Sequence, residues 1–301
     1  MISNLKKISI YSLVLAIVLL STDLFAGMGK ILEKTFKVNK GELLKIEIDV
    51  GDLKINSWDK DECYIKITGN KNAKEDIEFE VEKTSYGVYI KGEKEDGFFD
   101  WSNNYNVLVE VSLPRDFNTE LRTSGGDIHL TDIDGKNELK TSGGDVEIKF
   151  ITGEINARTS GGDMKLNDIV GFTRISTSGG DIDVRNLKGD IDASTSGGNV
   201  ELEVENGKID ASTSGGNVRL TYKGGNKGID LSTSGGNINV TVPRGFKAHA
   251  MLKTSAGEVS CDVSATKTIK VSSSKFEAEL NGGGPNLECR TSGGNIDLIE
   301  K

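Results

Sequence analysis

The sequence predicts an all-β protein: a right-handed parallel β-helix, or β-solenoid, of about 18 residues per coil, with irregular coils at its N-terminal end. Three observations predict it. The tetrapeptide Thr-Ser-Gly-Gly starts at Thr123, Thr141, Thr159, Thr177, Thr195 and Thr213, an unbroken spacing of eighteen residues. Apolar and polar residues alternate on both sides of it, the period of a half-buried strand. The chain holds 37 glycines against three prolines, with 36% hydrophobic residues, which suits short strands joined by tight turns.

The first element is a secretory signal. Lys6 and Lys7 precede an apolar run from Ile8 to Leu20, and Leu24-Phe25-Ala26 offers a cleavage site after Ala26. The run is shorter than the ~20 residues that a spanning helix needs. Cleavage is therefore favoured over an uncleaved anchor, and no later stretch is long or apolar enough to span. The region lacks the cysteine of a lipid-anchored protein. Cleavage would remove two Lys and one Asp, taking the formal net charge from −9 to −10. That acidic balance has no basic stripe, so the footprint of nucleic-acid binding is missing. The expected divisions are 1–26 signal peptide, 27–114 irregular N-terminal β coils and 115–301 regular repeats.

Within 34–114, Lys45–Ile55 repeats the alternation around a shortened corner at Gly51, and Thr84–Ile90 is a further relative. Cys63–Ile67 and Asn106–Val111 read as strands. These are expected to be worn coils of one continuous solenoid. Residues 91–105 form the odd loop. Its Phe98, Phe99, Trp101 and Tyr105 could face solvent as a platform for sugars or peptides, or plug an open end of the coil stack. Trp58 is expected in the core or a cap.

In the regular region, the tetrapeptide recurs at Thr233 and Thr291, as Thr-Ser-Ala-Gly at Thr254, and in a worn copy at Val271–Phe276. Ten units result, a rod of about 48 Å at ~4.8 Å per coil. Two residues before each Thr stands an apolar residue, from Leu121 and Leu139 through Ile175 and Leu252 to Ile269 and Cys289. Five and seven after it come Ile128 and Leu130, Val146 and Ile148, and their successors. Each unit thus holds two strands, with Gly-Gly expected to supply the positive φ of the corner between them. A second corner glycine recurs as Gly135, Gly153, Gly171 and Gly189. One unit cannot bury its apolar side alone, whereas stacked units can. The right hand follows the crossover rule for parallel strands.

Two other architectures do not fit. A hexapeptide left-handed helix needs an aliphatic residue where Asp127, Asp145 and Asp163 stand. A propeller blade needs about 40 residues. Cys261 and Cys289 fall on inward positions about two coils apart, beyond disulfide reach.

The row Asp127, Asp145, Asp163, Asp181, continued by Asn199, Asn217, Asn237, Glu258, Lys275 and Asn295, stands four residues after the first residue of each tetrapeptide copy. Its side chains could bond backbone donors at the corner. In a second reading, the four Asp share calcium. The β-roll motif is missing, and free exchange of Asp for Asn fits the first reading better. The Thr and Ser rows are expected to form hydrogen-bonded ladders. With only His129 and His249, about six coils apart, no Ser-His-Asp set and no metal-ligand spacing can be built. Neither catalytic residues, a cofactor nor an enzyme is expected.

The units from Leu121-Arg122-Thr123-Ser124-Gly125-Gly126-Asp127-Ile128 onward resemble a bacterial β-strand-repeat family known as putative adhesins, a domain of unknown function. Its pattern is Thr-Ser-(Ser/Gly)-Gly-Asp-(Ile/Val) about every 18 residues; Ile55–Glu62 resembles its Gly-Trp-Asp stretch. The resemblance spans about 34–301. It implies a parallel β-helix in an exported or envelope location and carries no site residues with it.

The sequence thus leads to an exported, non-enzymatic scaffold or adhesin. Its partner would be an envelope protein or a surface glycan, met in the periplasm or at the cell surface. An alternative is end-to-end self-assembly, such as a homodimer through the C-terminal coil, where Thr291–Leu298 would leave a bare strand edge. A polysaccharide-active enzyme on a β-helix is the third reading.

Overall fold

The structure, a computed structural model, describes residues 27–94 and 104–301. Residues 1–26, read above as a signal, and the loop residues Phe98, Phe99 and Trp101 lie outside the described residues. Among the described residues, 26 strands join one continuous sheet, and the six-residue Lys71–Asp76 is the only helix. The chain is all-β and β-solenoid-like.

The alternating pattern forms strands because successive side chains point to opposite faces, and the inward set must be covered. Parallel neighbours in the next coil cover it. Val146 lies opposite Ile128 on one side and Met164 on the other, eighteen residues away in each direction. One strip of sheet runs through Leu121, Leu139, Ala157, Ile175, Ala193, Ala211 and Leu231. A second runs through Leu53, Ile128, Val146, Met164, Ile182, Val200, Val218, Ile238 and Ile296. These residues are buried in a single core that also takes in the N-terminal strands.

A third inward row was not read from the sequence: Ile133, Ile151, Ile169, Leu187, Val204, Tyr222 and Val242, all buried. Its first four members follow a corner at Asp132, Phe150, Asp168 and Asn186, whose φ of 53–61° lies in the left-handed region, while Val204, Tyr222 and Val242 continue the plain alternation of their strands. That corner shifts the alternation by one residue, so Leu130 and Ile133, three apart, both face inward.

The Gly-Gly pairs correct an expectation. None of them has positive φ; that conformation falls on the second corner, at Gly153, Gly171 and Gly189. The second glycine of each pair is needed for a different reason. A Cβ on Gly180 would stand 2.0 Å from the carbonyl oxygen of Gly162 in the preceding coil, whereas one on Gly179 would stand 3.3 Å from the Gly161 oxygen. The first position therefore tolerates a methyl group, and Ala256 occupies it in the Thr254 unit.

Spatial order departs from chain order at both ends. Residues Leu43–Ile48 and Asp52–Trp58 lie between the coil of Gly87–Lys94 and Val107–Pro114 and the coil of Asn118–Arg122 and Ile128–Thr131. At the other end, Asn286–Thr291 and Ile296–Glu300 sit between the coil of Ile229–Ser232 and Ile238–Val242 and the coil of Ala248–Thr254 and Val259–Cys261. Eleven coils result, about 53 Å at ~4.8 Å each.

Several expectations are thereby corrected. The last repeat by sequence is paired on both sides, so Thr291–Leu298 leaves no bare edge. The worn copy at Val271–Phe276 is no coil. It is the turn of an antiparallel hairpin, Ala265–Ser272 with Lys275–Leu280, that extends the first strip past the last coil. Ile269 is accordingly exposed, not inward. Thr84–Gly87 is likewise a hairpin turn, closed by the Thr84 amide donating to the Gly87 carbonyl at 2.8 Å. Of the N-terminal strands, Gly29–Lys37, Glu62–Gly69 and Ile77–Lys83 are antiparallel caps, not worn coils.

Cys63, Cys261 and Cys289 are free. Cys289, beside Leu252, and Cys261, beside Leu298, lie in adjacent coils but on different strips, so the expected two-coil separation was too large. Burial pushes the Cys63 thiol up to about 12 and the Cys289 thiol upward as well.

Candidate functional site

The repeat motif itself comes first, because its polar groups are the obvious candidates. Each Thr faces inward. The Thr195 hydroxyl donates to the Gly180 carbonyl of the preceding coil at 2.9 Å and accepts from its own Gly198 amide at 3.4 Å. Thr141, Thr159, Thr177, Thr213, Thr233 and Thr291 repeat the arrangement. The Thr row is thus a hydroxyl-to-backbone fastening between coils, not a Thr-to-Thr ladder. The Ser side chains beside it are exposed.

The Asp/Asn row fastens the coils in the same way. Asp127 Oδ1 accepts the Asp145 amide at 2.8 Å, Asp145 Oδ1 that of Asp163, Asp163 Oδ1 that of Asp181, and Asp181 Oδ1 that of Asn199. The series goes on through Asn217, Asn237 and Asn295 to Glu258. It begins one rung earlier than the sequence suggested, with Asp52 Oδ1 accepting from Asp127. Asp and Asn exchange freely because both supply the same acceptor. Among the described residues, no group of three or more His, Cys, Asp or Glu is placed to hold a metal ion.

The sequence-predicted aromatic platform is represented by Tyr105. Its ring is buried, its hydroxyl donates to Asp76 Oδ2 at 2.8 Å, and Lys94 Nζ stands 5.7 Å from the ring. Tyr105 thus anchors the base of the loop instead of facing solvent. Trp58 is half-buried, donates to the Glu62 carbonyl at 2.7 Å and lies 6.0 Å from the Tyr64 ring, under Lys60. His129 pairs with Glu147 at 3.1 Å, and His249 faces Glu279 at 3.8 Å, near the opposite end of the stack.

Two outward features remain. The second strip presents an outward row of mixed charge, His129, Glu147, Lys165, Asp183, Glu201 and Arg219. Near the N-terminal caps it forms a trough of about 610 Å³, lined by Lys54, Asn56, Lys66, Glu110, His129 and Glu147. Its ion pairs, such as Lys66–Glu110 at 3.3 Å, are solvent-exposed and each contributes about 0–1 kcal/mol. The third side of the coil carries exposed apolar side chains that sequence reading missed: Phe150, Val170 and Phe172. Phe150 is 51% exposed at φ 57°, where neighbouring coils place Asp132, Asp168 and Asn186. Bulky residues rarely adopt that conformation. Arg174 lies 5.3 Å from the Phe172 ring. The signal was present in the repeat, as Phe replacing Asp or Asn in one column.

Fold and faces together define a repeat protein whose motif is spent on joining coils. The chain belongs to the family described as Toastrack DUF4097, whose model matches residues 43–299. It is similar to solved structures called putative adhesins. One, from Bacteroides fragilis, is 14% identical, with 90% of this chain and 96% of that one covered at a TM-score of 0.44. Another, from Parabacteroides distasonis, is 12% identical, with 90% and 98% covered at 0.41. A structure called a putative lipid binding protein, also from Parabacteroides distasonis, is 15% identical, with 91% and 98% covered at 0.32. No curated protein matches.

Proposed function

We propose that this protein is an exported, non-enzymatic β-solenoid, coiled right-handed, that acts as an adhesin or cell-envelope interaction scaffold. The observation that carries the reading is the commitment of the Thr, Gly and Asp/Asn rows to inter-coil hydrogen bonds. What repeats is architecture, and what varies is the outward surface. Contact with an envelope protein or surface glycan then falls to aromatic groups. Phe150 and Phe172 offer apolar faces of the kind that sugars stack on, with Arg174 beside them. Phe98, Phe99 and Trp101 are the second proposed contact set. Among the described residues no helix is long and apolar enough to cross a membrane.

The test is cross-linking in intact cells, with the native protein compared to a Phe150→Asp/Phe172→Ser variant. Both should be recovered from the envelope fraction, and the variant should keep its melting temperature but lose the cross-linked partner. An unchanged partner would move the contact away from these side chains. Recovery of the native protein from the cytoplasm would overturn the exported reading.

A further inference from the structure

The two ends of the first strip carry edge strands of opposite charge. At the N-terminal end the edge is Ile77–Lys83, paired among the described residues only with Gly87–Lys94. Glu78, Glu80 and Glu82 lie on its exposed face, opposite Glu93, Lys91 and Tyr89. At the C-terminal end the edge is Ala265–Ser272, paired only with Lys275–Leu280. Every residue of this strand is exposed, and Ile269 and Val271 are 49% and 65% exposed. It bears Lys267 and Lys270 and no acid. Unpaired edge groups on a strand exposed over its whole length are a template for another strand.

We propose that copies of this chain join head to tail, the Ala265–Ser272 edge of one pairing with the Ile77–Lys83 edge of the next, so that the first strip continues from molecule to molecule. Three observations support this occupant over others. The first is polarity. The hairpin leaves Ala265–Ser272 running with the coil strands, while Ile77–Lys83 runs against them. Stacking along a common axis therefore makes the joint antiparallel, like the caps themselves.

The second is charge. Within the cap, Lys267 and Lys270 oppose Glu279 and Glu277, two residues apart. Glu80 and Glu82 offer the same spacing from the other side. Pairing of either edge with its own copy would instead set Lys against Lys or Glu against Glu, which opposes a closed dimer. The third is shape. At the C-terminal end the first strip overhangs the second, which stops at Val259–Cys261. At the N-terminal end the second strip overhangs, with Glu62–Gly69 and Gly29–Lys37 beyond Val107–Pro114. Lys34 Nζ already holds the outward Val81 carbonyl at 2.8 Å and the Ile77 amide donates to the Ala73 carbonyl, so the joint falls to the remaining edge groups of the strand. A heterologous contact of this kind gives open filaments when it does not close into a ring. The inference does not depend on what the outward faces bind.

Sedimentation of the purified full chain tests it. At low salt the average mass should rise with concentration beyond a dimer, and it should fall as salt is added. Lys267→Glu/Lys270→Glu should leave a monomer, as should Glu80→Lys/Glu82→Lys. Mixing the two variants should restore association beyond the dimer, in alternating copies, because the two reversed ends match each other and so do the two native ends. A chain carrying both sets of changes should again grow beyond a dimer. Circular dichroism matching the native protein shows that each variant is folded. A native chain that stays monomeric at every concentration, or association that survives either charge reversal, would overturn the proposal.

Discussion

The glycine pair shows how one residue's role is set by the coil beneath it. Gly180 has no room for a Cβ because the Gly162 oxygen lies within 2.0 Å of where it would be, whereas Gly179 has 3.3 Å. Gly180→Ala should therefore lower stability by about 3 kcal/mol or more, while Gly179→Ala should stay within about 1 kcal/mol of native. Urea melts of the two variants check this, and equal losses would refute the stacking explanation. Asp210 makes a second case. Burial, then the neighbouring Asp230 and Asp192, hold its carboxyl above the usual range. A raised folded-state value means that the protonated form fits the fold better, so stability from this group is present at low pH and lost as pH rises. Asp210→Asn should raise the melting temperature at neutral pH, and the gain should vanish in acid, where native Asp210 is already protonated. The motif's spacing was legible because eighteen-residue columns need no structure to align. The reason for each glycine was not legible, because it lies in a neighbouring coil's carbonyl.

Among the elements, the two long strips were readable as alternation, and the third inward row was hidden by the corner at Asp132 and its equivalents. Thr173 exposes a weakness beside the second corner, at Gly171. It is fully buried between Ile155 and Ile191, and its hydroxyl has no hydrogen-bond partner. Thr173→Val keeps the shape and removes the unpaired group, so it should raise stability by about 1 kcal/mol. A loss on thermal melting would mean that the hydroxyl is engaged after all. The hairpins at both ends escaped the sequence reading for a physical reason: an antiparallel cap strand alternates like a coil strand. Val271–Phe276 even imitates the motif, yet Ser273 and Ser274 form a turn where Gly-Gly would be needed to stack. Tyr105 was misplaced because an aromatic residue in a polar loop looks exposed until its partner, Asp76, twenty-nine residues earlier, is brought alongside.

At the scale of the whole molecule, the account rests on one stack of coils fastened by the Thr and Asp/Asn rows, in which the final repeat is inserted beneath the coil that precedes it in sequence. The Asp/Asn series itself traces that order, from Asn237 to Asn295 and then back to Glu258. This order puts the hairpin Ala265–Leu280 at the end of the rod and frees its edge. Spin-label distances measure it most directly. From a label at Glu147, a label at Asp297 lies six coils away and one at Ser260 seven, or about 29 and 34 Å along the axis. The account predicts that Asp297 is the nearer by about one coil spacing. Finding Ser260 nearer would mean that the coils stack in simple chain order, and the account of both rod ends would fail.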